Sequence, residues 1–277
     1  MSISELGGSS RQTLASARTA LDSALAGLSA SDAAKVAADL FTVVTTLDSS
    51  APLRRALTDA SRSAEDKKAL VTDLLAKNLG KQVVALIASL SSMKWSKPGD
   101  IADAVEQLAI EAEASAANVA GELDQLEEEL FAFSRIVSSD SELRQSLSAS
   151  KYSSEGKRVL VAKLFGGKVS SATGRILGHL VSGLRGRNIE GTIAFYSKAT
   201  AARRDRVIAH VRSAVALTDK QREKLTTTLA AKIGQPVRVN VEIDPTVIGG
   251  ISIRFADELI DATIVSRLAE ASRALAG

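Results

Sequence analysis

The chain has 277 residues, 45% apolar and 3% aromatic, so it can bury a sizeable core built from Leu, Val, Ile and Ala. It has no cysteine and only two histidines, which excludes disulfides, thiol nucleophiles and zinc–thiolate sites and leaves little for a histidine triad. The net charge of +3 is unevenly distributed, because 98–134 holds no Lys or Arg whereas 185–212 is basic. Each block is interpreted as a solvated helix face or as a docking surface for a partner of opposite charge.

Apolar residues recur at helical spacing over most of the first 200 residues, which predicts a series of amphipathic helices. The first is expected over 13–28, and a second begins at a cap formed by Ser31-Asp32. The stretch SSAPLRRAL breaks that helix and starts a short one, and SAED from Ser63 forms a capping box that opens the next. A further apolar helix precedes the turn SKPGD at 96–100, after which a long acidic helix follows.

The helical pattern recurs at an offset of about 90 positions. DLFTVVTTLDSSAPLRRALTDASRSAEDKKALVTDLLAK from Asp39 matches ELFAFSRIVSSDSELRQSLSASKYSSEGKRVLVAKLFGG from Glu129 in its Leu, Ser, Arg, Lys and Glu positions and in its breakers. A period this long, occurring twice, indicates a duplicated domain rather than a solenoid. The expected units are a first helical bundle over 1–100 and a second over 101–204, with the acidic helix at the start of the second.

The sequence changes character after residue 204. RVIAHVRSAVAL, QPVRVNVEID and GISIRF are β-branched and partly alternating, and together with a short ELI they are expected to be strands. Thr218-Asp219 caps a predicted helix that runs to Ile233, and TIVSRLAEASRAL is a predicted closing helix. The predicted fold class is mainly α: two tandem small helical bundles followed by a small α+β C-terminal domain over 205–277.

The stretch DPTVIGGISIRF from Asp244 raises the question of a phosphate loop. It has neither G-x-x-x-x-G-K-[ST] nor G-x-G-x-x-G opening a helix, and its glycines lead into a strand. We therefore interpret it as a connection between strands, and expect no catalytic residue, no metal site and no cofactor. The N-terminus does not have the pattern of a signal peptide, and the longest apolar run is far shorter than a membrane span, so direct membrane insertion is not expected.

The C-terminal sequence resembles the signature of the delta subunit of bacterial ATP synthase, the counterpart of the mitochondrial oligomycin-sensitivity-conferring protein. The signature positions are Asp244, Pro245, Ile248, Gly249, Gly250, Arg254 and Asp261. The upstream stretch from SSDSELRQSL to AFYSK resembles the helical domain of the same family. The resemblance covers about 100–277, and the extra copy at 1–100 is similar to the long actinobacterial form, in which the helical domain is duplicated.

The resemblance implies a structural role without catalysis. The family's delta subunit links the catalytic head to the peripheral stalk, so that the stator resists the torque of the rotor during proton-driven ATP synthesis. The implied partners are the N-terminal helix of an alpha subunit and a b-type stalk subunit. The implied location is the cytoplasmic face of the cell membrane, as a peripheral part of the synthase.

The resemblance also implies a groove for the alpha-subunit helix between the first and fifth helices of a copy. The candidate residues in the second copy are Ile176, Leu180 and Leu184, and those in the first copy are Val83, Ile87 and Leu90. We favour the second copy, because it joins the signature domain directly as in ordinary family members. The candidate contacts to the b subunit in the final helix are Ile264, Leu268 and Leu275.

A nucleic-acid-binding protein, an enzyme and a helical adaptor unrelated to ATP synthase compete with this interpretation, and the lack of Cys, the two His and the missing phosphate loop speak against the enzyme. A helical nucleic-acid-binding protein is the alternative, because 185–212 is basic and Phe195-Tyr196 offers a stacking platform for bases. Against it, the chain has no recognised RNA motif and its acidic middle would repel phosphate. An adaptor unrelated to ATP synthase would leave the C-terminal signature unexplained.

Overall fold

The structure, a computed structural model, describes residues 6–149, 151–203, 207–214, 218, 221, 225, 227–229, 237–243, 251–255 and 258–261. The chain divides into two compact units, Met1–Arg203 and Arg204–Gly277. Eleven helices with described bounds lie in the first unit, and four strands lie in the second.

The helices of the first unit follow the apolar periodicity of the sequence. They are α1 Gly8–Leu25, α2 Ala30–Ser49, α3 Ala51–Thr58, α4 Ala64–Leu75, α5 Lys81–Ser91, α6 Asp100–Ala120, α7 Leu123–Ser139, α8 Ser141–Ser148, α9 Ser154–Phe165, α10 Ser171–Ser182 and α11 Ile189–Ala201. The predicted cap at Ser63 is confirmed, because its hydroxyl accepts a hydrogen bond from the backbone N–H of Asp66. The cap predicted at Ser31-Asp32 is wrong by two residues, since Ser29 accepts from the N–H of Asp32.

The duplication seen in the sequence is present in the hydrogen bonds. Asp39 of α2 accepts from the backbone N–H of Gly80 at 2.8 Å, and Glu129 of α7 accepts from that of Ser170 at 3.0 Å. Each acceptor lies near the middle of its helix, and each donor is the residue before the fifth helix of its copy. The same contact at the same offset ties α2 to the start of α5 and α7 to the start of α10. The two copies, called the first and second repeats below, therefore share one internal geometry.

Helix α6 belongs to both repeats. It packs against α1, α2 and α3 of the first repeat and against α7, α10 and α11 of the second. In the first repeat α6 packs against α1 and α2, and in the second repeat α11 packs in the same way against the equivalent helices α6 and α7. One continuous hydrophobic core therefore runs through both repeats, and α6 lies inside it.

The second unit contains a four-stranded sheet in the order β2-β1-β3-β4. Its strands are β1 Val207–Ser213, β2 Val237–Ile243, β3 Ile251–Phe255 and β4 Glu258–Asp261, at the predicted places. β1 is parallel to β2 and antiparallel to β3, which pairs antiparallel with β4. The stretch 244–250 thus connects two strands that are not neighbours. Most of the residues of the predicted helices lie outside the described residues, so the α+β class of this unit stays a prediction.

Candidate functional site

The central feature of the first unit is the burial of the acidic helix α6. Fifteen of its 21 residues are buried, including the carboxylates of Glu106, Glu111 and Glu113 at 1% exposure each. Its abundant alanines let neighbouring helices approach closely from several sides. The interpretation of this acidic block as a solvated or docking face is therefore wrong for these three side chains.

The buried carboxylates of α6 pair with arginines from distant parts of the chain. Glu111 binds Arg18 of α1 at 2.8 Å, and Glu113 binds Arg175 of α10 at 2.6 Å. Burial raises the pKa of Glu113, while the hydrogen bond and charge of Arg175 act in the opposite direction. Such pairs are needed because an isolated buried carboxylate is very costly.

A larger cluster, the Arg185 cluster, joins α2, α6 and the loop between α10 and α11. Arg185 contacts Asp48 at 2.8 Å, Asp103 at 2.8 Å and Glu106 at 2.7 Å, and Arg187 contacts Glu106 at 2.5 Å. Burial acts to lower the pKa of Arg185, but the surrounding carboxylates outweigh it and raise that pKa above its usual value. Arg185 also has a left-handed backbone, with φ at 51°, a conformation that costs a non-glycine residue about 1 kcal/mol. The cluster holds that conformation and ties the two repeats together.

Three arginines of the basic block, Arg185, Arg187 and Arg203, make contacts inside the first unit. Arg203 pairs with Asp22 and lies 3.4 Å from Glu111, and Arg187 lies over the ring of Phe195 at 4.6 Å. Tyr196 is 2% exposed, and burial raises its pKa well above the ordinary value. The stacking platform expected at Phe195-Tyr196 is therefore wrong, because one ring is in the core and the other is covered by an arginine.

The six candidate groove residues lie in or against the core. Val83, Ile87, Leu90, Ile176 and Leu180 are at most 1% exposed, and Leu184 is partly buried. As the repeats stand, these side chains do not line an open groove. Their assignment to the alpha-subunit contact stays a prediction.

The surface beside the first and fifth helices differs between the repeats. In the second repeat these helices are α6 and α10, and α6 is buried while α10 is covered in part by α2. The ring of His179 on α10 stacks on Phe41 of α2 with centroids 3.8 Å apart and planes at 7°. Burial, with a smaller contribution from Arg158, lowers the pKa of His179 to about 4. In the second repeat, the first repeat itself thus occupies part of this surface.

In the first repeat the corresponding helices are α1 and α5, which pack on each other and keep an outer face exposed. The exposed residues include the small side chains of Ala15, Ser16 and Thr19 on α1 and of Ala85 on α5, and Lys81 and Gln82 are exposed at the start of α5. Small residues let a partner helix come close to the backbone of both. We call this face the α1/α5 surface.

Part of the C-terminal signature lies within the sheet. Arg254 of β3 pairs in register with His210 of β1 and Leu259 of β4, and Asp261 of β4 lies opposite Ser252. The remaining signature positions and the candidate b-subunit contacts lie outside the described residues. They are Asp244, Pro245, Ile248, Gly249, Gly250, Ile264, Leu268 and Leu275.

Within the described part of the chain, no helix is long and apolar enough to cross a membrane. The same residues contain no group of three or more acidic or histidine side chains placed to hold a metal ion. The first unit presents helix surfaces around a core that contains buried Arg–carboxylate pairs. The first unit is a helical protein built from two repeats.

Comparison with known proteins is consistent with that class. Residues 111–275 match the model of the ATP synthase delta (OSCP) subunit family. ATP synthase subunit delta of Streptomyces griseus is 43% identical over 98% of this chain and 100% of its own length. The subunit delta of Streptomyces coelicolor is 40% identical over 99% and 100%, and that of Thermobifida fusca is 40% identical over 90% and 93%. A chain in the structure of the Toxoplasma gondii mitochondrial ATP synthase hexamer is 16% identical over 61% of this chain and 97% of that one, with a TM-score of 0.27.

The chain belongs to the ATP synthase delta (OSCP) subunit family. The family model begins inside α6 and so matches the second repeat and the second unit. The actinobacterial relatives are matched over nearly the whole chain, so they also cover the first repeat.

Proposed function

We propose that this chain is a non-catalytic peripheral-stalk subunit of a proton-translocating ATP synthase, located at the cytoplasmic face of the membrane. In this role it links the N-terminal helix of an alpha subunit to a b-type stalk subunit and resists rotor torque. The observation that carries the proposal is the single core shared by the two repeats, in a chain whose relatives are named subunit delta. A stator must transmit force without yielding, and two repeats cross-linked by the ion pairs Arg18–Glu111 and Arg185–Asp48 suit that task.

The division of labour follows the repeats and the tail. The helical part consists of a first copy over 1–100 and a second over 101–204, and the tail over 205–277 forms an α+β domain. The tail takes the b-type subunit through the apolar stripe of its final helix, at Ile264, Leu268 and Leu275. The signature around Asp244 to Gly250 has a structural role in the sheet.

The alpha-subunit helix binds the α1/α5 surface of the first repeat. The matching surface in the second repeat is supported less well, although the sequence favours it, because α6 is buried and α2 lies against His179. An amphipathic helix needs an accessible strip on which to lay its apolar face. The α1/α5 surface offers such a strip, with exposed small side chains on both helices.

A titration of the whole chain with a peptide of the alpha subunit's N-terminal helix tests this proposal. The whole chain is needed because a fragment of residues 1–100 would lack α6, which covers α2. The variant Ala85→Arg places a long charged side chain on the α1/α5 surface, and we expect it to weaken peptide binding about tenfold or more.

Two matched variants separate the alternatives. Ala69→Arg adds the same charge on the exposed face of α4 and is expected to leave affinity unchanged. Gly174→Arg adds it on α10, where a Cβ at this glycine meets no neighbouring atom. Loss of binding in Gly174→Arg but not in Ala85→Arg would move the alpha contact to the second repeat. Absence of binding to the unmodified chain would contradict the head-to-stalk role itself.

A further inference from the structure

The second repeat exposes a helix face that the first repeat covers. Phe41 of α2 and Phe131 of α7 are equivalent at the offset of 90 and follow the same Leu in each repeat. Phe41 is 5% exposed, whereas Phe131 is 66% exposed and has the largest exposure among the large apolar side chains described. A single exposed aromatic is ordinary on a protein surface. Here, however, the equivalent Phe41 is buried by contact with a neighbouring helix, which shows how this position can be covered.

In the first repeat, Phe41 is covered by residues of the second repeat. The His179 ring of α10 lies flat on Phe41, and one turn beyond α10 Arg185 binds Asp48 at the end of α2. A helix from the neighbour therefore supplies a flat ring to the Phe and a basic side chain to a carboxylate. After α11 the described residues continue into the strands of the second unit, and none of the described helices covers Phe131 as α10 covers Phe41.

The charges beside Phe131 specify the partner. Between Glu122 and Glu129 the start of α7 carries five carboxylates and no Lys or Arg. Glu128 is exposed one turn and Asp124 two turns before Phe131, and Arg135 is exposed one turn after it. Positions 124, 128 and 131 share one helix face. We call this strip, Asp124, Glu128 and Phe131, the α7 face.

The geometry points to the α7 face as the docking site of a basic amphipathic helix from another subunit of the synthase. That helix lays an aromatic or aliphatic side chain on Phe131 and aims a Lys or Arg, one or two turns away, at Asp124 and Glu128. It covers Phe131 as α10 covers Phe41, but its basic side chain lies toward the start of α7, because the position of α7 equivalent to Asp48 is Ser138. The inference rests on the proposed function, because the synthase is the assembly that would supply the helix.

Photo-crosslinking in purified ATP synthase that contains the full chain tests the inference. A benzophenone amino acid replaces Phe131 in one variant and Tyr152 in a control, since Tyr152 is an aromatic exposed at 47% on the segment between α8 and α9. We expect the 131 probe to label a helical peptide of another subunit with Lys or Arg within two turns of the labelled residue. The 152 probe is expected not to label that peptide.

Phe131→Asp and Phe131→Leu give an independent measurement of retention in the complex. Free unmodified chain is added as a competitor that displaces the bound variant from the synthase. We expect Phe131→Asp to be displaced at about tenfold lower competitor concentration than the unmodified chain, and Phe131→Leu at the same concentration. A label from position 131 on residues 204–277 of the same chain, on a second copy, or on nothing would overturn the inference while the chain remains in the complex. Absence of the unmodified chain from purified synthase would instead overturn the proposed function.

Discussion

The two repeats have equivalent helices but different surroundings, and α2 and α7 show the consequence. Leu40 of α2 and Leu130 of α7 are both buried in their own repeat, and each is followed by a Phe. Beyond that shared side, α2 buries Ala37, Phe41 and Val44, while α7 has Glu127, Phe131 and Ser134 in the same register. The first repeat therefore buries against its neighbour the face that the second repeat leaves exposed.

Removal of a carboxylate from the Arg185 cluster is expected to have the largest effect on stability. Glu106→Gln leaves Arg185 and Arg187, both under 15% exposed, without their most buried partner. We expect a loss of about 4 kcal/mol in the free energy of unfolding, because breaking a buried ion pair leaves an uncompensated charge. Guanidinium unfolding measures it. The control is Glu190→Gln, which breaks the exposed pair with Arg144 at 3.7 Å and should cost under about 1 kcal/mol.

The next largest effect on the free energy of unfolding is expected when the two equivalent phenylalanines are truncated to alanine, and it should appear only in the first repeat. Phe41→Ala empties a buried site against His179 and is expected to cost about 3 kcal/mol in the free energy of unfolding. Phe131→Ala removes a ring that is mostly in water, so in the isolated chain it should change stability by less than about 0.5 kcal/mol. Equal losses in the two variants, measured by chemical denaturation, would mean that α7 is covered as α2 is.

The contact between the repeats should also make stability depend on pH. The pKa of folded His179 is about 4 and its ordinary value is 6.5, so between these values the unfolded chain binds a proton that the folded chain does not. Stability therefore rises with pH through this window, and His179 costs about 2 kcal/mol at pH 5 relative to pH 7. Asp103 and Glu113 act in the opposite sense, because burial raises their pKa values.

Comparison of the unmodified chain with His179→Phe isolates the histidine, because both chains keep the same carboxylates and the variant keeps a ring on Phe41. Urea unfolding at pH 5 and pH 7 should show a difference between the two pH values about 2 kcal/mol larger for the unmodified chain. The same pH dependence in both chains would contradict burial of His179 by the first repeat.

The smallest expected difference lies at the ends of α4 and α9. Gly166 ends α9 at a position where a Cβ would overlap the carbonyl oxygen of Ala162, whereas the equivalent Ala76 continues in helical geometry. Gly166→Ala should cost about 1 to 2 kcal/mol, and Ala76→Gly should cost less than about 1 kcal/mol. Thermal unfolding of both variants checks the order, which would be reversed if the two helix ends were alike.

The sequence predicts the helices well, because their apolar spacing and caps such as Ser63 are local signals. It also predicts the duplication, since breakers and caps recur at one offset. It does not predict the burial of Glu106, because Glu among alanines has the pattern of a solvated helix and its partner Arg185 lies 79 positions away. The partial cover of α10 is missed for the same reason, since only the packed chain brings Phe41 onto His179. The sequence signal for this internal pairing is the presence of an acidic block at 98–134 and a basic block at 185–212 in the same chain.

Hydrogen–deuterium exchange of the whole chain, with and without a peptide of the alpha subunit's N-terminal helix, tests the central claim most directly. That claim is that α2 of the first repeat covers part of α10, and that the α1/α5 surface stays open to bind the head. The account predicts slower exchange on peptide binding in α1 and α5, with α10 unchanged and α6 slow in both states. Protection that appears in α10 and not in α1 or α5 would contradict it.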